Sequence, residues 1–388
     1  MTYKIVDSRQ RKASIKVVGV GGAGGNAINR MIGSGMYGVE FIALNTDAQA
    51  LEHCQADITL CIGQQNATNG LGAGAQPERA RQAIEEDRDK VAECLKDTDL
   101  VFITAGMGGG TGTGAAPTVA AIAREQGALT IGIVTEPFLV EGFPRMRNAL
   151  AGIAEMQEHV DTLITIKNQR LLSICSRETT LQEAFLKADE VLMHSARGIS
   201  DLITVPGVIN LDFQDVKTTV ENGGDAIIGV GSHRGENRAI EAAKKAIKSP
   251  LLEDVSIEGA KRVLMNIAAD SSLTLFEAHE AMALIHDTVG QEANIILGTA
   301  LDDRLVDEVR VTVIATGFER NKEGTKLAVK QAEAGNGGAA ERAVETDLSV
   351  PAYLRRNAPA AAADAGPAPS RVRVDNLDYP TFLRRKMA

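Results

Sequence analysis

The chain has 388 residues, of which 44% are hydrophobic and 24% are charged, and its formal net charge at pH 7 is −10. This composition is typical of a globular protein with room for two domains and a tail. The negative charge argues against non-specific binding to nucleic acids or anionic lipids, and no stretch approaches the roughly 18 apolar residues of a membrane span. Four cysteines without a C-x-x-C spacing and six histidines without an H-E-x-x-H motif favour free thiols and no metal site.

The first predicted unit combines a strand, a glycine-rich turn and a helix. A polar N-terminus, residues 1–13, has no signal-peptide pattern, is expected to be flexible, and precedes a strand over residues 14–20. Gly21-Gly-Ala-Gly-Gly-Asn26 follows, and a helix is expected from Ala27 to about residue 34. The glycines fit G-x-G-x-x-G, and Asp47 follows at about the spacing of a dinucleotide fingerprint. Taken alone, this unit predicts a Rossmann-type NAD site.

Two further glycine-rich loops follow in the first half of the chain. A strand over residues 57–61 leads into a loop over residues 66–75, and one helix is expected from Pro77 to about Leu95. A buried strand over residues 99–104 then leads into the third loop.

That third loop, Gly106-Met-Gly-Gly-Gly-Thr-Gly-Thr-Gly114, is the most glycine-rich segment of the chain and precedes a helix over residues 115–124. A strand, a glycine turn and a helix aim free backbone N–H groups and a positive helix end at one point, which suits phosphate. The segment is not a P-loop, because no lysine lies between Lys96 and Lys167. The alternative is an ordinary tight turn.

Strands and helices continue to alternate after this loop, which predicts a doubly wound, mostly parallel sheet with ligands at the carboxyl ends of its strands. From Thr180 to Thr204, apolar residues recur every three or four positions, which predicts one long helix that ends before Val205-Pro-Gly207. Beyond it we expect a second, smaller α/β region. Its strands are predicted near residues 226–231, 262–269, 294–299 and 308–315, and its helices near residues 236–248 and 275–288.

The C-terminal segment, residues 319–388, is rich in Ala, Gly, Pro and charged residues without an apolar period, so we expect it to be disordered. It contains one internal repeat, in which Val350-Pro-Ala-Tyr-Leu-Arg-Arg356 resembles Tyr379-Pro-Thr-Phe-Leu-Arg-Arg385. An aromatic residue and a leucine beside two arginines suit a short docking motif. The alternative is coincidence within a biased composition.

With these loops in place, residues 14–318 and the C-terminus resemble the FtsZ family of tubulin-like bacterial division GTPases. The heptapeptide Gly108–Gly114 and Asn210-Leu-Asp-Phe-Gln-Asp215 carry most of the resemblance. Two features depart from the family: Glu136 stands where lysine is usual, and the docking motif occurs twice. The resemblance implies a GTP-binding domain over residues 14–179, a central helix over 180–205, a C-terminal α/β domain carrying the catalytic loop over 206–318, and a linker with a docking peptide over 319–388.

The resemblance also implies a site for GTP or GDP, with Mg²⁺ carried on the nucleotide. Two loops would cradle the phosphates, and Ala73 would meet the γ-phosphate. Glu141 and Arg145 would contact the ribose, although an i,i+4 surface ion pair is the alternative. Asn168 and Asp189 would read guanine, although Asp189 alone suits a solvated helix face. The implied residues of the phosphate loops are Gly22, Ala23, Gly24, Gly25, Asn26, Gly110, Thr111 and Gly112.

Hydrolysis is implied to depend on Asp212 and Asp215, with Asn210 in the same loop. Carboxylates can orient and polarise the attacking water. Yet the loop follows a helix of about 24 residues, which spans roughly 36 Å. We therefore expect these acids to act on the nucleotide of the next subunit in a head-to-tail filament. The alternative for Asp215 is a capping role for a helix that begins near Val216.

The resemblance thus implies a cytoplasmic, assembly-dependent GTPase that forms the contractile or scaffolding ring at the midcell division site. Its expected partners are itself and membrane-tethering or regulatory division proteins, bound through Asp378–Lys386 and through a second copy of the motif, Val350–Arg356. Neither nucleic acid nor direct membrane insertion is expected. An NAD(P)-dependent oxidoreductase is disfavoured because three phosphate loops converge where a dinucleotide site needs one. A non-catalytic nucleotide-binding scaffold is disfavoured by the acidic loop.

Overall fold

The computed structural model describes residues 13–176, 178–249, 257–290 and 292–318. Ten strands form one sheet in the order β3-β2-β1-β4-β5-β6-β7-β10-β8-β9. Their bounds are β1 Ile15–Val20, β2 Glu40–Asn45, β3 Ile58–Cys61, β4 Leu100–Gly106, β5 Leu129–Glu136, β6 Thr162–Lys167, β7 Gly224–Arg234, β8 Arg262–Ala269, β9 Asn294–Leu301 and β10 Glu308–Thr316.

Helices cover the sheet and connect its strands. Their bounds are α1 Gly21–Gly33, α2 Ala48–Glu52, α3 Pro77–Glu86, α4 Arg88–Leu95, α5 Thr111–Glu125, α6 Phe143–His159, α7 Asn168–Leu171, α8 Leu181–Thr204, α9 Phe213–Val220, α10 Arg238–Ile247 and α11 Leu275–Val289. Short 3₁₀ turns occupy Leu139–Glu141 and Leu172–Ile174.

Strands β1 to β7 pair in parallel, and their side chains alternate between two separate cores. In β4, Leu100 and Phe102 face the core that contains α1 and α8, while Val101 and Ile103 face the core formed by α3 to α6. A third core lies between α10, α11 and the last strands. The predicted doubly wound, mostly parallel sheet is confirmed.

The second α/β region continues the same sheet through β7. Its first residues pair in parallel with β6, from Thr162↔Gly224 to Ile164↔Ala226, and the rest of the strand pairs antiparallel with β10. β10 also pairs antiparallel with β8, and β8 pairs in parallel with β9. β7 thus pairs with strands of both regions and joins them into one sheet.

The long helix α8 is also confirmed. Thr180 is its N-cap and forms a capping box with Glu183: the Glu183 backbone N–H donates to Thr180 Oγ1 at 3.2 Å, and the Thr180 N–H donates to Glu183 Oε2 at 2.7 Å. Its apolar stripe, which includes Leu192, Ala196 and Ile199, packs on α1 and the sheet. The helix therefore runs along the core without interruption from Leu181 to Thr204.

Several helix boundaries differ from the sequence-based prediction. α1 begins at Gly21 and α5 at Thr111, so the glycine-rich segments form the first turns of these helices as well as the loops before them. The helix expected over residues 77–95 is broken at Asp87, whose Oδ2 accepts a hydrogen bond from the Gly63 N–H at 2.8 Å. That bond satisfies a buried backbone N–H of the loop, and Asp87 takes a non-helical conformation between α3 and α4. Residues 1–12 of the expected flexible N-terminus, which was predicted over residues 1–13, and the C-terminal segment from residue 319 lie outside the described residues.

Candidate functional site

The glycine-rich turns that follow β1 and β4 lie side by side at the carboxyl edge of the sheet. These two strands are neighbours, and the strand order reverses between them, which is where open α/β sheets bind ligands. A Cβ atom added to Gly21 would lie 3.0 Å from the backbone nitrogen of Gly112. Only glycine therefore lets the two turns approach this closely.

Both helices that start at these turns have open N-termini. The N-caps Val20 and Gly110 supply no side-chain hydrogen bond, and neither α1 nor α5 has an acidic residue in its first turn. The first N–H groups and the positive ends of both helix dipoles are thus uncompensated by capping side chains. Two such helix ends at one place suit a ligand with several negative charges.

A cavity of about 440 Å³ lies against these two turns. Its size falls within the usual range for small-molecule sites. It is lined by most of the predicted nucleotide-binding residues, namely Gly22, Ala23, Asn26, Gly110, Thr111, Gly112, Glu141, Arg145, Asn168 and Asp189. The structure thus brings together residues from α1, α5, the start of α6, α7 and α8.

Three predicted residues do not line this cavity. Gly24 packs α1 onto the sheet, since a Cβ there would lie 2.7 Å from the Thr104 carbonyl oxygen. A Cβ at Gly25 would lie 4.0 Å from the Cys54 sulfur. Ala73 is buried against the glycine-rich turn that follows β4, and its Cβ lies 2.8 Å from the position that a Cβ at Gly110 would take. These contacts position the turns, and direct contact with a ligand stays a prediction.

One end of the cavity combines an amide, a carboxylate and an aromatic ring. Asn168 is 4% exposed, and its Oδ1 has no hydrogen-bond partner among the described residues. Asp189 and Phe185 project from successive turns of α8 into the same space. The Phe185 ring packs edge-on against Phe138, with 5.4 Å between ring centroids. A planar ligand that donates hydrogen bonds fits this end.

The Asp189 carboxylate is partly desolvated. Burial raises its pKa to about 6, and the Arg30 guanidinium, whose Nε lies 3.5 Å from Oδ2, opposes that rise. The alternative prediction, that Asp189 lies on a solvated helix face, is therefore wrong, because its side chain is 15% exposed and faces the cavity.

Glu141 and Arg145 form the expected i,i+4 ion pair, and both also line the cavity. Arg145 Nη1 donates to Glu141 Oε2 at 2.5 Å, while Glu141 Oε1 accepts from the Phe138 N–H at 2.8 Å. The ion pair and a place in the ligand site are therefore compatible. Nearby, Glu136 ends β5, and burial raises its pKa while Lys167 on the paired strand lowers it.

The acidic loop lies beyond the opposite end of α8. Asp189 precedes the last helical residue, Thr204, by about four turns, or roughly 22 Å. Asn210, Asp212 and Asp215 are all exposed. The loop is held to β9, since Thr299 Oγ1 accepts from the Ile209 N–H at 2.8 Å and the Thr299 N–H donates to the Ile209 carbonyl at 3.0 Å. The acids therefore do not join the cavity of their own chain.

Within the loop, Asp212 rather than Asp215 is the N-cap of α9. Asp212 Oδ1 accepts from the Asp215 N–H at 2.9 Å, and Asp215 Oδ2 accepts from the Asp212 N–H at 3.3 Å. The helix accordingly begins at Phe213, three residues earlier than expected. Asn210 Oδ1 accepts from the Gly207 N–H at 2.7 Å. Each aspartate thus uses one carboxylate oxygen in the capping box, and the other oxygen lies outside it.

Comparison with known proteins identifies the family. Residues 14–176 match the model of the Tubulin/FtsZ family GTPase domain, and residues 224–319 match that of the FtsZ family C-terminal domain. An FtsZ dimer from M. jannaschii, described as empty, is 45% identical; the match covers 80% of this chain and 89% of that chain, with a TM-score of 0.76. The chain belongs to the FtsZ family.

More distant relatives share the fold. CetZ1 from Haloferax volcanii, a GDP-bound monomer, is 22% identical, and the match covers 83% of this chain and 99% of that chain with a TM-score of 0.70. CetZ2 from the same organism, a GTPgS-bound protofilament, is 21% identical, with 82% and 99% coverage and a TM-score of 0.67. The match to the Tubulin/FtsZ family GTPase domain over residues 14–176 implies that the chain binds GTP and GDP and that it hydrolyses GTP. None of the helices in the described part of the chain could span a membrane.

Sequence reasoning missed several residues of this FtsZ-family site. Phe185 was seen only as part of an apolar helical stripe, although its spacing of four residues from Asp189 places both on one face of α8. Arg30 left no sequence signal, because its contact joins two helices far apart in the chain. Thr135 and Pro137 line the cavity merely because β5 ends there.

Proposed function

We propose that this protein binds GTP in the cavity, polymerises head to tail into filaments, and hydrolyses GTP with the acidic loop of the next subunit. One observation carries the proposal: the cavity and the acidic loop lie at opposite ends of the same long helix, in a chain of the FtsZ family. A site divided in this way is complete only where two subunits meet.

The amide and carboxylate end of the cavity supports guanine as the base. Guanine presents two adjacent donors, N1–H and its 2-amino group, and the Asp189 carboxylate is a matching double acceptor. In the same space, the buried Asn168 side chain has an acceptor that no other described residue pairs with, and Phe185 offers an apolar surface to the ring. Adenine lacks the N1–H donor, so it would leave the carboxylate unpaired.

The phosphates would lie on the open N-termini of α1 and α5. The backbone N–H groups of Gly22 and of the segment from Gly110 to Gly112 would donate to phosphate oxygens, and Glu141 would accept from the ribose hydroxyls. In the described part of the chain, no group of three or more His, Cys, Asp or Glu side chains could hold a metal ion. A bound Mg²⁺ would accordingly rely mostly on phosphate oxygens, as is usual for this ion.

Asp212 and Asp215 would orient the attacking water on the neighbouring subunit's nucleotide. Each has one carboxylate oxygen outside the capping box, available to accept a hydrogen bond from that water. The water oxygen bonds to the γ-phosphorus, the bond from that phosphorus to the bridging oxygen breaks, and a carboxylate accepts the water proton. The products are GDP and inorganic phosphate. Asn210 would hold the loop shape through its bond to Gly207.

Exposed apolar side chains at both ends of the molecule support end-to-end contact. Beside the cavity, Val140 and Phe143 are 80% and 87% exposed, and Leu71 lies two residues before Ala73. At the other end, Val205 packs with Ala268, Ala300 and Leu305, which places the ends of β8 and β9 beside the acidic loop. Exposed apolar residues there are Val208, Ile209, Leu275, Phe276, Leu301 and Val306. Two such surfaces on opposite ends suit a heterologous interface that repeats along a filament.

The family relationship extends the proposal to cell division. The M. jannaschii FtsZ relative is a dimer, which supports self-association of this chain. We place the filaments in a cytoplasmic ring at midcell, tethered to the membrane through Asp378–Lys386 and, as a second copy, Val350–Arg356, both of which lie outside the described residues. Tail peptides carrying Tyr353→Ala or Phe382→Ala, titrated separately against a membrane-bound tethering protein, test this. If only the Phe382→Ala peptide loses binding, the copy at Val350–Arg356 has no docking role.

The proposal is tested by measuring phosphate release from GTP as a function of protein concentration. If the active site forms between subunits, the rate per molecule rises steeply above a threshold and then levels off. A rate per molecule that is constant from nanomolar to micromolar concentration would show that hydrolysis needs no partner. An absence of phosphate release at every concentration would favour a non-catalytic scaffold.

A further inference from the structure

Arg30 does not line the cavity itself, but it contacts Asp189, which does, and it lies on α1, the helix that also carries the proposed phosphate-binding turn. Its Nε atom is 3.5 Å from Asp189 Oδ2, and the two side chains are 30% and 15% exposed. The ion pair joins α1 to α8, whose apolar faces pack together through Ala27, Met31 and Leu192. One helix would thus hold the phosphates and also touch the carboxylate proposed to read the base.

Arg30 is the cation that faces Asp189 among the described residues. Across the cavity, Arg145 is bound to Glu141, so that pair brings no net charge. On α8 itself the adjacent charge is Glu190, which is negative and exposed. α7 contributes the neutral Asn168. The charge state and direction of the Asp189 carboxylate therefore depend on Arg30 more than on any other described side chain.

We propose that Arg30 is a positioning residue for base selection, which keeps the Asp189 carboxylate ionised and turned so that both oxygens accept hydrogen bonds from guanine. This inference rests on the proposed function. Each carboxylate oxygen has two lone pairs, so Oδ2 can bind Arg30 and still accept from the ligand.

The ionised form matters because guanine offers donors at this edge. A protonated carboxyl would place an O–H donor against the guanine donors and remove one acceptor. Burial raises the pKa of Asp189 to about 6, and Arg30 lowers it. Removing the cation therefore raises the pKa further, and a growing share of Asp189 is protonated at neutral pH. Guanine binding is then lost as the pH falls through that higher value and is restored above it.

The test measures the affinities for GTP, ITP and ATP by competition binding between about pH 5.5 and 8.5, a window that brackets the titration of Asp189. ITP retains the N1–H donor but lacks the 2-amino group, so the GTP-to-ITP ratio reports whether the second oxygen of Asp189 is used. Arg30→Met and Arg30→Gln remove the charge, and Arg30→Lys retains it. Arg88→Met is the matched control, because Arg88 on α4 forms an ion pair with Glu125, the last residue of α5, at the opposite end of that helix from the cavity.

In the wild type, GTP binding is expected to weaken below about pH 6. In Arg30→Met and Arg30→Gln the midpoint moves to higher pH, so GTP binding at about pH 7 falls on the order of tenfold and recovers at about pH 8.5. The GTP-to-ITP ratio falls at neutral pH in the same two variants. Arg30→Lys and Arg88→Met keep the wild-type profile.

A loss of GTP affinity that is equal at every pH, with an unchanged GTP-to-ITP ratio, would overturn the inference, since it indicates a packing role alone. Wild-type behaviour of both uncharged variants would overturn it as well. A wild-type protein that binds GTP no better than ATP would instead contradict the proposed function itself. Arg30→Gln keeps the hydrogen-bonding capacity of a partly exposed position, so the test does not depend on Arg30→Met folding.

Discussion

Asp212 caps α9 and also carries a proposed catalytic role on the neighbouring subunit, and substitution can separate the two. Asparagine is as good an N-cap as aspartate, whereas alanine is not. Asp212→Asn should therefore change the free energy of unfolding by less than about 0.5 kcal/mol and still bind GTP, while phosphate release in the assembled protein falls by about 10²-fold or more. Thermal melts and a phosphate-release assay measure the two effects.

Asp212→Ala is the comparison for that experiment. It should lose the cap as well, at a cost of about 0.5–2 kcal/mol, with the same loss of hydrolysis. If Asp212→Asn hydrolyses GTP at the wild-type rate while Asp212→Ala does not, capping alone explains Asp212 and its charge has no catalytic role.

Asp189 offers a second prediction at this scale. Asp189→Asn preserves the size of the side chain but replaces one acceptor with a donor, which would face the donors of guanine. The preference for GTP over ATP should fall by roughly tenfold to a hundredfold, because charged hydrogen bonds in a desolvated site contribute strongly to selection. Competition binding measures it. Glu190→Gln, one residue away and exposed, is the matched control and should keep the wild-type preference.

At the residue scale, the grouping of side chains around the cavity was predictable where a family motif carried it. Asn168 and Asp189 came from the family resemblance, and the structure brings both into one cavity. Phe185 and Arg30 were missed because their contacts, to Phe138 and to Asp189, join segments distant in sequence. Local patterns cannot report which faces of two helices will meet.

At the scale of elements, the alternation of strands and helices was predictable, because buried parallel strands read as continuous apolar runs. The helix starts were not. Glycine disfavours helix, so Gly21–Asn26 and Gly112–Gly114 were expected to be loop. In the folded chain, close approach of backbone segments determines why glycine stands in these helical turns. A Cβ at Gly114, for example, would lie 2.0 Å from the Pro77 carbonyl oxygen.

This close packing makes a prediction about α5. In Gly112→Ala, the new methyl group would lie 2.5 Å from the Gly106 carbonyl oxygen, a backbone atom that cannot rotate away. The turn must shift, at a cost of roughly 1–3 kcal/mol, and GTP binding should be lost because the helix end no longer meets the phosphates. Equilibrium binding and thermal melts measure both effects.

Gly33→Ala, at the end of α1, is the matched control for that substitution. A Cβ there meets nothing within 4 Å, and alanine is the better helix former, so the variant should bind GTP normally and melt no lower than the wild type. Normal GTP binding by Gly112→Ala would show that the turn tolerates a side chain and that the argument from close approach is wrong.

At the scale of the whole molecule, α8 separates the nucleotide cavity from the acidic loop. The cavity lies at one end, and the acidic loop is fixed to β9 at the other, roughly 22 Å beyond Asp189 along the helix. Because β7 joins both regions into one sheet, the ends are held in a fixed relation through the backbone. Each subunit is thus expected to supply a nucleotide to one neighbour and a pair of carboxylates to the other.

This division predicts that two inactive variants restore each other. Asp212→Asn keeps its cavity but lacks the catalytic charge, whereas Gly112→Ala keeps its acids but cannot bind GTP. Mixed in equal amounts, they should release phosphate at up to about half the wild-type rate per subunit, since only half the chains carry GTP. Phosphate release from each variant alone and from the mixture measures this. The contrary outcome is a mixture as inactive as each variant alone, at a concentration where the wild type assembles. In that case the cavity and the acidic loop must belong to the same chain, and hydrolysis in trans is wrong even if both residues are needed.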